Sequence, residues 1–139
     1  MNASTNEPYA RVVPDLLVEA NDPTVAARVA VDAKYKLYDQ RKLDSGDVYQ
    51  SFLYAYAFSG AGAHAVPAAL LLYPSSTRSS QAVRLRVRTA QTSADAEILA
   101  LGFSIPEALA EVTHGVRGPV TQTIIEAIQQ GMGSRTVAA

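Results

Sequence analysis

Cysteine is absent from the 139 residues, which excludes thiolate metal sites, disulfide bridges and cysteine nucleophiles and is compatible with a cytoplasmic setting. No apolar run approaches membrane-spanning length, and Met1 to Arg11 is polar. Neither an anchor nor a signal peptide is legible, and no membrane partner is expected. Neither sign of charge dominates: 12 Lys and Arg against 13 Asp and Glu leave a formal net charge of −1. Any contact with nucleic acid must therefore come from local patches. A G-x-x-x-x-G-K-[ST] loop is also missing, which assigns nucleotide hydrolysis, if any, to another chain. There is no internal repeat and no heptad run. His64 and His114 stand far apart without ligand spacing and receive no role.

What is present is a core's worth of apolar residues, 48% of the chain, at a length suited to one domain over residues 1–139. Met1 to Tyr9 reads as a loose polar leader. Val12 to Val18 reads as a strand broken by Asp15, and Ala27 to Tyr35 as a second. Between them Asn21-Asp22-Pro23-Thr24 supplies turn chemistry, which predicts an antiparallel hairpin. Ser45 stands where a helix N-cap would sit, and Asp47 falls in a first turn, where the helix dipole favours a carboxylate. Asp47 to Phe58 carries apolar residues around most of the cylinder and predicts a largely buried helix ended by Ser59-Gly60. Ala68 to Tyr73 is a continuous apolar run closed by Pro74, the pattern of a strand covered on both faces and reached by a right-handed crossover.

Further along, Val83 to Thr89 alternates, predicting an edge strand with Val83, Leu85 and Val87 inward and Arg84, Arg86 and Arg88 outward. Glu97 to Phe103 is read as a weak strand or a short helix. A helix with Pro106 at its first position runs from Ile105 to about Val112, and Gly115 and Gly118 interrupt the chain. Pro119 to Gln130 is a clearer helix, with Val120, Ile124, Ile125 and Ile128 on one side and Gly131 after it.

The stretch that carries chemistry is V-A-V-D-A-K-Y-K, Val29 to Lys36, with Pro14-Asp15 before it. Strand alternation sets Asp32 and Lys34 on one face and Val29, Val31 and Ala33 on the other. Asp15 and Asp32, on partner strands, are placed to share a hard cation such as Mg²⁺, with Mn²⁺ as a substitute and the Ala33 carbonyl as a further oxygen. Lys34 beside them would meet the charge that develops on a phosphate. The implied reaction is phosphodiester hydrolysis. Taken alone, each acid also fits a solvated strand face or a turn. Gln50 and Tyr54, four apart on the predicted helix, share one of its faces, and an amide on an apolar helix needs a partner if it is buried. The stripe of Arg84, Arg86 and Arg88 reads equally as a phosphate-tracking patch or as a solvated face, and the run of Lys36, Arg41 and Lys42 could serve similarly but is usually only a wet loop.

P-D followed by D-x-K resembles the spacing of the PD-(D/E)xK nucleases. V-D-A-K-Y-K, then D-V-Y-Q-S-F-L-Y-A-Y-A, then L-L-L-Y-P is similar to the nuclease domain of McrC, the endonuclease subunit of the McrBC modification-dependent restriction system. The likeness covers Pro14 to Pro74, about half the chain. It implies an α/β fold with a restriction-endonuclease-like core, a mixed central sheet flanked by helices. It also implies Mg²⁺-dependent cleavage of DNA and a GTP-hydrolysing AAA+ partner of the McrB kind. Residue by residue it assigns metal binding to Asp15 and Asp32 and a catalytic role to Lys34. Gln50 and Tyr54 match a Q-x-x-x-Y pair that supports the site or contacts DNA. McrC proteins carry a large region ahead of the matching stretch, so the chain is expected to be a nuclease part, a truncated product or a separately encoded half. A catalytically inactive module of the same fold, binding DNA or a partner, is the alternative.

Overall fold

Two short runs rich in Val, Leu and Ala come first among the described residues and pair with each other. The computed structural model describes residues 12–21, 27–38, 41–58, 66–77, 81–87 and 96–133. The leader Met1 to Tyr9, the turn residues Asp22 to Thr24, the helix stop Ser59-Gly60, His64 and Arg88 lie outside them. Strand β1, Leu16–Glu19, runs antiparallel to β2, Arg28–Ala33, in the register Leu16 to Val31 through Glu19 to Arg28. The expected hairpin partners are thus present. β1 nevertheless begins at Leu16 and not at Val12: Pro14 has no N–H for a ladder, and the Asp15 side chain accepts the Ala33 N–H itself.

Helix α1, Ser45–Phe58, follows, and strand β3, Ala68–Pro74, returns parallel to β2. Asp44 caps α1 in place of Ser45, its Oδ1 accepting the Gly46 N–H at 2.8 Å while its carbonyl takes the Val48 N–H. α1 is less enclosed than its composition predicts. Its buried face is Asp47, Ser51, Tyr54 and Ala55, and the large side chains Tyr49 and Leu53 are exposed. Polar and small residues face the sheet because that face borders the site described below.

Strand β4, Gln81–Val87, lies at the sheet edge, and β5, Ala96–Phe103, inserts between β3 and β4. β5 is parallel to β3 and antiparallel to β4, giving a mixed five-stranded sheet in the order β1-β2-β3-β5-β4. The segment Glu97 to Phe103 is therefore a full central strand. Its near-continuous burial, from Ile98 through Gly102, fits a strand covered by helices on both sides. Val83, at the edge, stays 45% exposed, while Leu85 reaches the core beneath α1.

Helix α2, Ile105–His114, starts at an N-cap Ser104 whose hydroxyl accepts the Glu107 N–H, and stops at Gly115, whose φ of 62° is a left-handed conformation open to glycine. Helix α3, Pro119–Gly131, packs on the sheet face opposite α1, with Ile124, Ala127 and Ile128 against Val29, Val31, Leu70, Leu99 and Leu101. Gly131 is the last helical residue and not a stop beyond it. A Cβ there would come within 2.8 Å of Val29 Cγ2, so its role is close approach of α3 to β2. Among the described residues no helix is long and apolar enough to cross a membrane.

Candidate active site

The ends of β1 and β2 and the first half of α1 meet at one corner of the sheet, on the α1 face. Asp32 follows Ala30 on that face, and Ala30 packs against Tyr54 and Ala55 of α1. The side chain of Asp32 is buried, and Lys34 extends from the next position of the same parity. Lys34 Nζ lies 2.7 Å from Asp32 Oδ2, although the approach lacks the angle of a hydrogen bond and leaves that buried oxygen without an aligned donor. Asp15 arrives from the start of β1, where continuing the register Leu16 to Val31 sets it beside Asp32. Its Oδ2 accepts the Ala33 N–H at 2.7 Å, on the β1 side of β2, while the Lys34 N–H goes to the Leu72 carbonyl on the β3 side. The residues picked from D-x-K and P-D thus converge.

Gln50 and Tyr54 join them. Lys34 Nζ donates to Gln50 Oε1 at 2.7 Å, Gln50 Nε2 donates to Tyr54 Oη at 2.8 Å, and the Tyr54 hydroxyl donates to the Val13 carbonyl at 2.9 Å. This relay fixes the orientation of the amide, because its oxygen can face only the ammonium and its nitrogen only the phenol. It also ties three elements together: the end of β2, the middle of α1, and the backbone just ahead of Pro14-Asp15.

Three further residues belong to the cluster. Asp47, buried in the first turn of α1, lies 3.5 Å from Lys34 Nζ and accepts from Lys36 Nζ at 3.0 Å. The Tyr38 hydroxyl donates to the same Asp47 oxygen as Lys36 does. The helix-dipole explanation of Asp47 conceals this role in the sequence, and Tyr38 sits in an aperiodic stretch that offers no signal. D-x-K-x-K-x-Y, placing alternate polar side chains on one side, is the only trace. Of the basic run that follows β2, Lys36 is engaged with Asp44 and Asp47, and Arg41 and Lys42 are exposed. Arg84 pairs with Glu97, and the register of β4 with β5 places Arg84 and Arg86 with Leu99 and Glu97, on the α3 face. Arg84 and Arg86 therefore face away from the site.

Electrostatics follow from this packing. Burial raises the Asp32 carboxyl above its ordinary value; the Lys34 charge opposes the shift, and the neighbouring Asp15 carboxylate adds to it. An acid raised despite a lysine at 2.7 Å is one whose desolvation outweighs its partner. Burial works to lower the Lys34 amine, but the close Asp32 carboxylate, followed by Asp47, outweighs it and holds the amine above its usual value. Burial likewise works to raise Asp47, and the Tyr38 and Lys36 hydrogen bonds with the two lysine charges reverse it, leaving Asp47 lowered. Burial, with the Asp32 charge, raises the Tyr54 phenol.

The donor set can be tested against the implied metal. Among the described residues no group of three or more His, Asp or Glu side chains converges, so a cation here would have two carboxylates. Mg²⁺ takes one or two carboxylates, keeps several waters and leaves room for a phosphate oxygen. The buried Asp32 oxygen without an aligned donor, next to a second carboxylate that raises it, is the kind of pair a dication would relieve. Asp15 and Asp32 supply the two carboxylates that such an ion would take. Set against known proteins, the chain matches no protein-family model, no curated protein and no solved structure.

Proposed function

We propose that this chain is a Mg²⁺-dependent DNA endonuclease domain with a restriction-endonuclease-like, PD-(D/E)xK core, similar to McrC and acting in a complex with an AAA+ GTPase of the McrB kind. The observation that carries the reading is the convergence of Asp15, Asp32 and Lys34 where the start of β1 meets the end of β2. Asp15 and Asp32 would hold the ion with the Ala33 carbonyl. When bound, the ion polarises the phosphate and lowers the pKa of a bound water.

The chain's own residues do the rest. Lys34 presents a fixed ammonium where negative charge grows on the phosphate oxygens as water adds to phosphorus and the ester oxygen leaves. Gln50 keeps that ammonium from swinging into solvent, and Tyr54 keeps Gln50 in register and ties Val13 to α1.

The test is nicking of supercoiled plasmid with Mg²⁺ or Mn²⁺ by the wild-type chain, Asp32→Ala and Lys34→Ala. Loss of a single electrostatic group in such a site costs about 10²- to 10³-fold in rate, so both variants are expected to fall by that order, and chelator to stop the wild type. Equal nicking by all three proteins would remove the proposal. A second reading, a non-catalytic module of this fold, draws on the neutralisation of Lys34 by Asp32 and Asp47. DNA binding without nicking would be its signature.

A further inference from the structure

Asp47 is a buried carboxylate to which neither D-x-K nor Q-x-x-x-Y assigns a task. Lys34 Nζ has three N–H donors and three oxygen neighbours: Asp32 Oδ2 at 2.7 Å, Gln50 Oε1 at 2.7 Å and Asp47 Oδ1 at 3.5 Å. Asp32 is also the acid that a dication would take up. Once it does, the attraction between Asp32 and Lys34 weakens and the dication repels the ammonium. Gln50 and Asp47 are then the groups that retain it, and of the two Asp47 alone is charged.

Asp47 is built to stay in place. The Tyr38 hydroxyl donates to its Oδ2, Lys36 Nζ stands 3.0 Å from the same oxygen, and the Tyr38 ring is buried edge-on against Tyr73 with centroids 5.6 Å apart. The carboxylate is thereby anchored to the core beneath α1. We propose that Asp47 is a positioning residue, holding the Lys34 ammonium beside the Asp15–Asp32 pair while that pair carries a divalent cation, with Tyr38 fixing Asp47 in turn. The inference rests on the nuclease reading of the site and gives a task to Asp47, the first residue of the D-V-Y-Q run, to which the likeness assigns none.

The experiment uses the full ¹⁵N-labelled chain. Lysine ammonium ¹H–¹⁵N spectra would be recorded with and without saturating Mg²⁺ for the wild type, Asp47→Asn and Tyr38→Phe, with Lys34→Ala identifying the Lys34 signal. Plasmid nicking would be measured on the same samples. Tyr38→Phe leaves the Asp47 charge in place and guards against an Asp47→Asn protein that does not fold. A held ammonium exchanges its protons slowly and gives a sharp signal. The expected result is a Lys34 signal that stays sharp with Mg²⁺ in the wild type, is lost with Mg²⁺ in Asp47→Asn and is weakened in Tyr38→Phe. Misplacing the ammonium by an ångström would lower kcat by roughly 10- to 100-fold with little change in KM. A Lys34 signal equally sharp in all three proteins at saturating Mg²⁺ would overturn the proposal whatever the nicking rates. A wild type that does not nick, but whose Lys34 signal depends on Asp47 in this way, would remove the nuclease reading and leave the positioning role standing.

Discussion

One phenolic oxygen, Tyr54 Oη, joins the amide that holds Lys34 to the backbone that delivers Asp15. Tyr54→Phe keeps the ring, its packing on Phe58 and its burial, and removes only the hydroxyl. Two part-buried hydrogen bonds go, so unfolding in urea is expected to show a loss of about 1–3 kcal/mol. Unchanged stability would mean that water replaces the hydroxyl and that the relay is slack. At this scale the sequence is informative where several residues combine, since each acid alone has a bland use. Asp32, Lys34 and Asp15 were legible from alternation and hairpin geometry, and Gln50 from the need of a covered amide for a partner. Asp47 was hidden because a first-turn acid already has a sufficient local explanation. Ser51 was hidden for a related reason: an unremarked small residue in the helix, it proves to be buried with no hydrogen-bond partner for its hydroxyl among the described residues.

Elements were legible where their ends carry local chemistry. α2 begins at a serine cap with proline just inside and ends at a left-handed glycine, and of these the proline and the glycine mark its two ends in the sequence. α3 differs, because its own N-cap, Gly118, has no side chain. Glu111 of α2 substitutes: its carboxylate accepts the Val120 N–H at 2.8 Å, the Thr121 N–H at 2.9 Å and the Thr121 hydroxyl at 2.6 Å, while Pro119 has no N–H to satisfy. A cap supplied from another helix leaves no mark in the local sequence. The Thr121 hydroxyl, then the backbone N–H groups, hold the Glu111 carboxyl below its usual value. A carboxyl depressed in the folded state contributes stability that is present above the ordinary glutamate pKa, about 4.3, and is lost as pH falls through the depressed value. Glu111→Gln is therefore expected to destabilise most near neutrality, with the gap to wild type closing in acid. Thermal unfolding from pH 7 down to pH 3 would check this, and a gap that widens in acid would reverse the sign of the argument.

At the scale of the molecule, the proposed site and the support for it come from different halves of the chain. The recognisable motifs end at Pro74, yet β3 is hydrogen-bonded along its length to β5, and Leu70 packs with Leu99, Leu101 and Ala127. β5 was the element least legible in advance, because an apolar stretch of mixed Ala, Leu and Ile has no period that separates a strand from a short helix. Its central place follows from the sheet order, in which β4 moves to the edge and leaves a position that only a later strand can fill. Leu71 faces Ile98 and Ala100 in the same way beneath α1, so both faces of β3 depend on residues after Ala96. A fragment ending at Thr77 would keep every proposed site residue but leave one edge of β3 unpaired and remove the helix that covers Val29 and Val31. Loss of that burial exceeds what a hairpin and one helix retain, since a few strands without a covered face are marginal in water. The fragment is expected to show no cooperative unfolding transition by circular dichroism and no Mg²⁺-dependent nicking at any concentration at which the full chain nicks. Adding a separate polypeptide of residues 78–139 should restore both, because the two halves meet along the β3–β5 ladder; a fragment that melts cooperatively alone would show the site to be self-supporting.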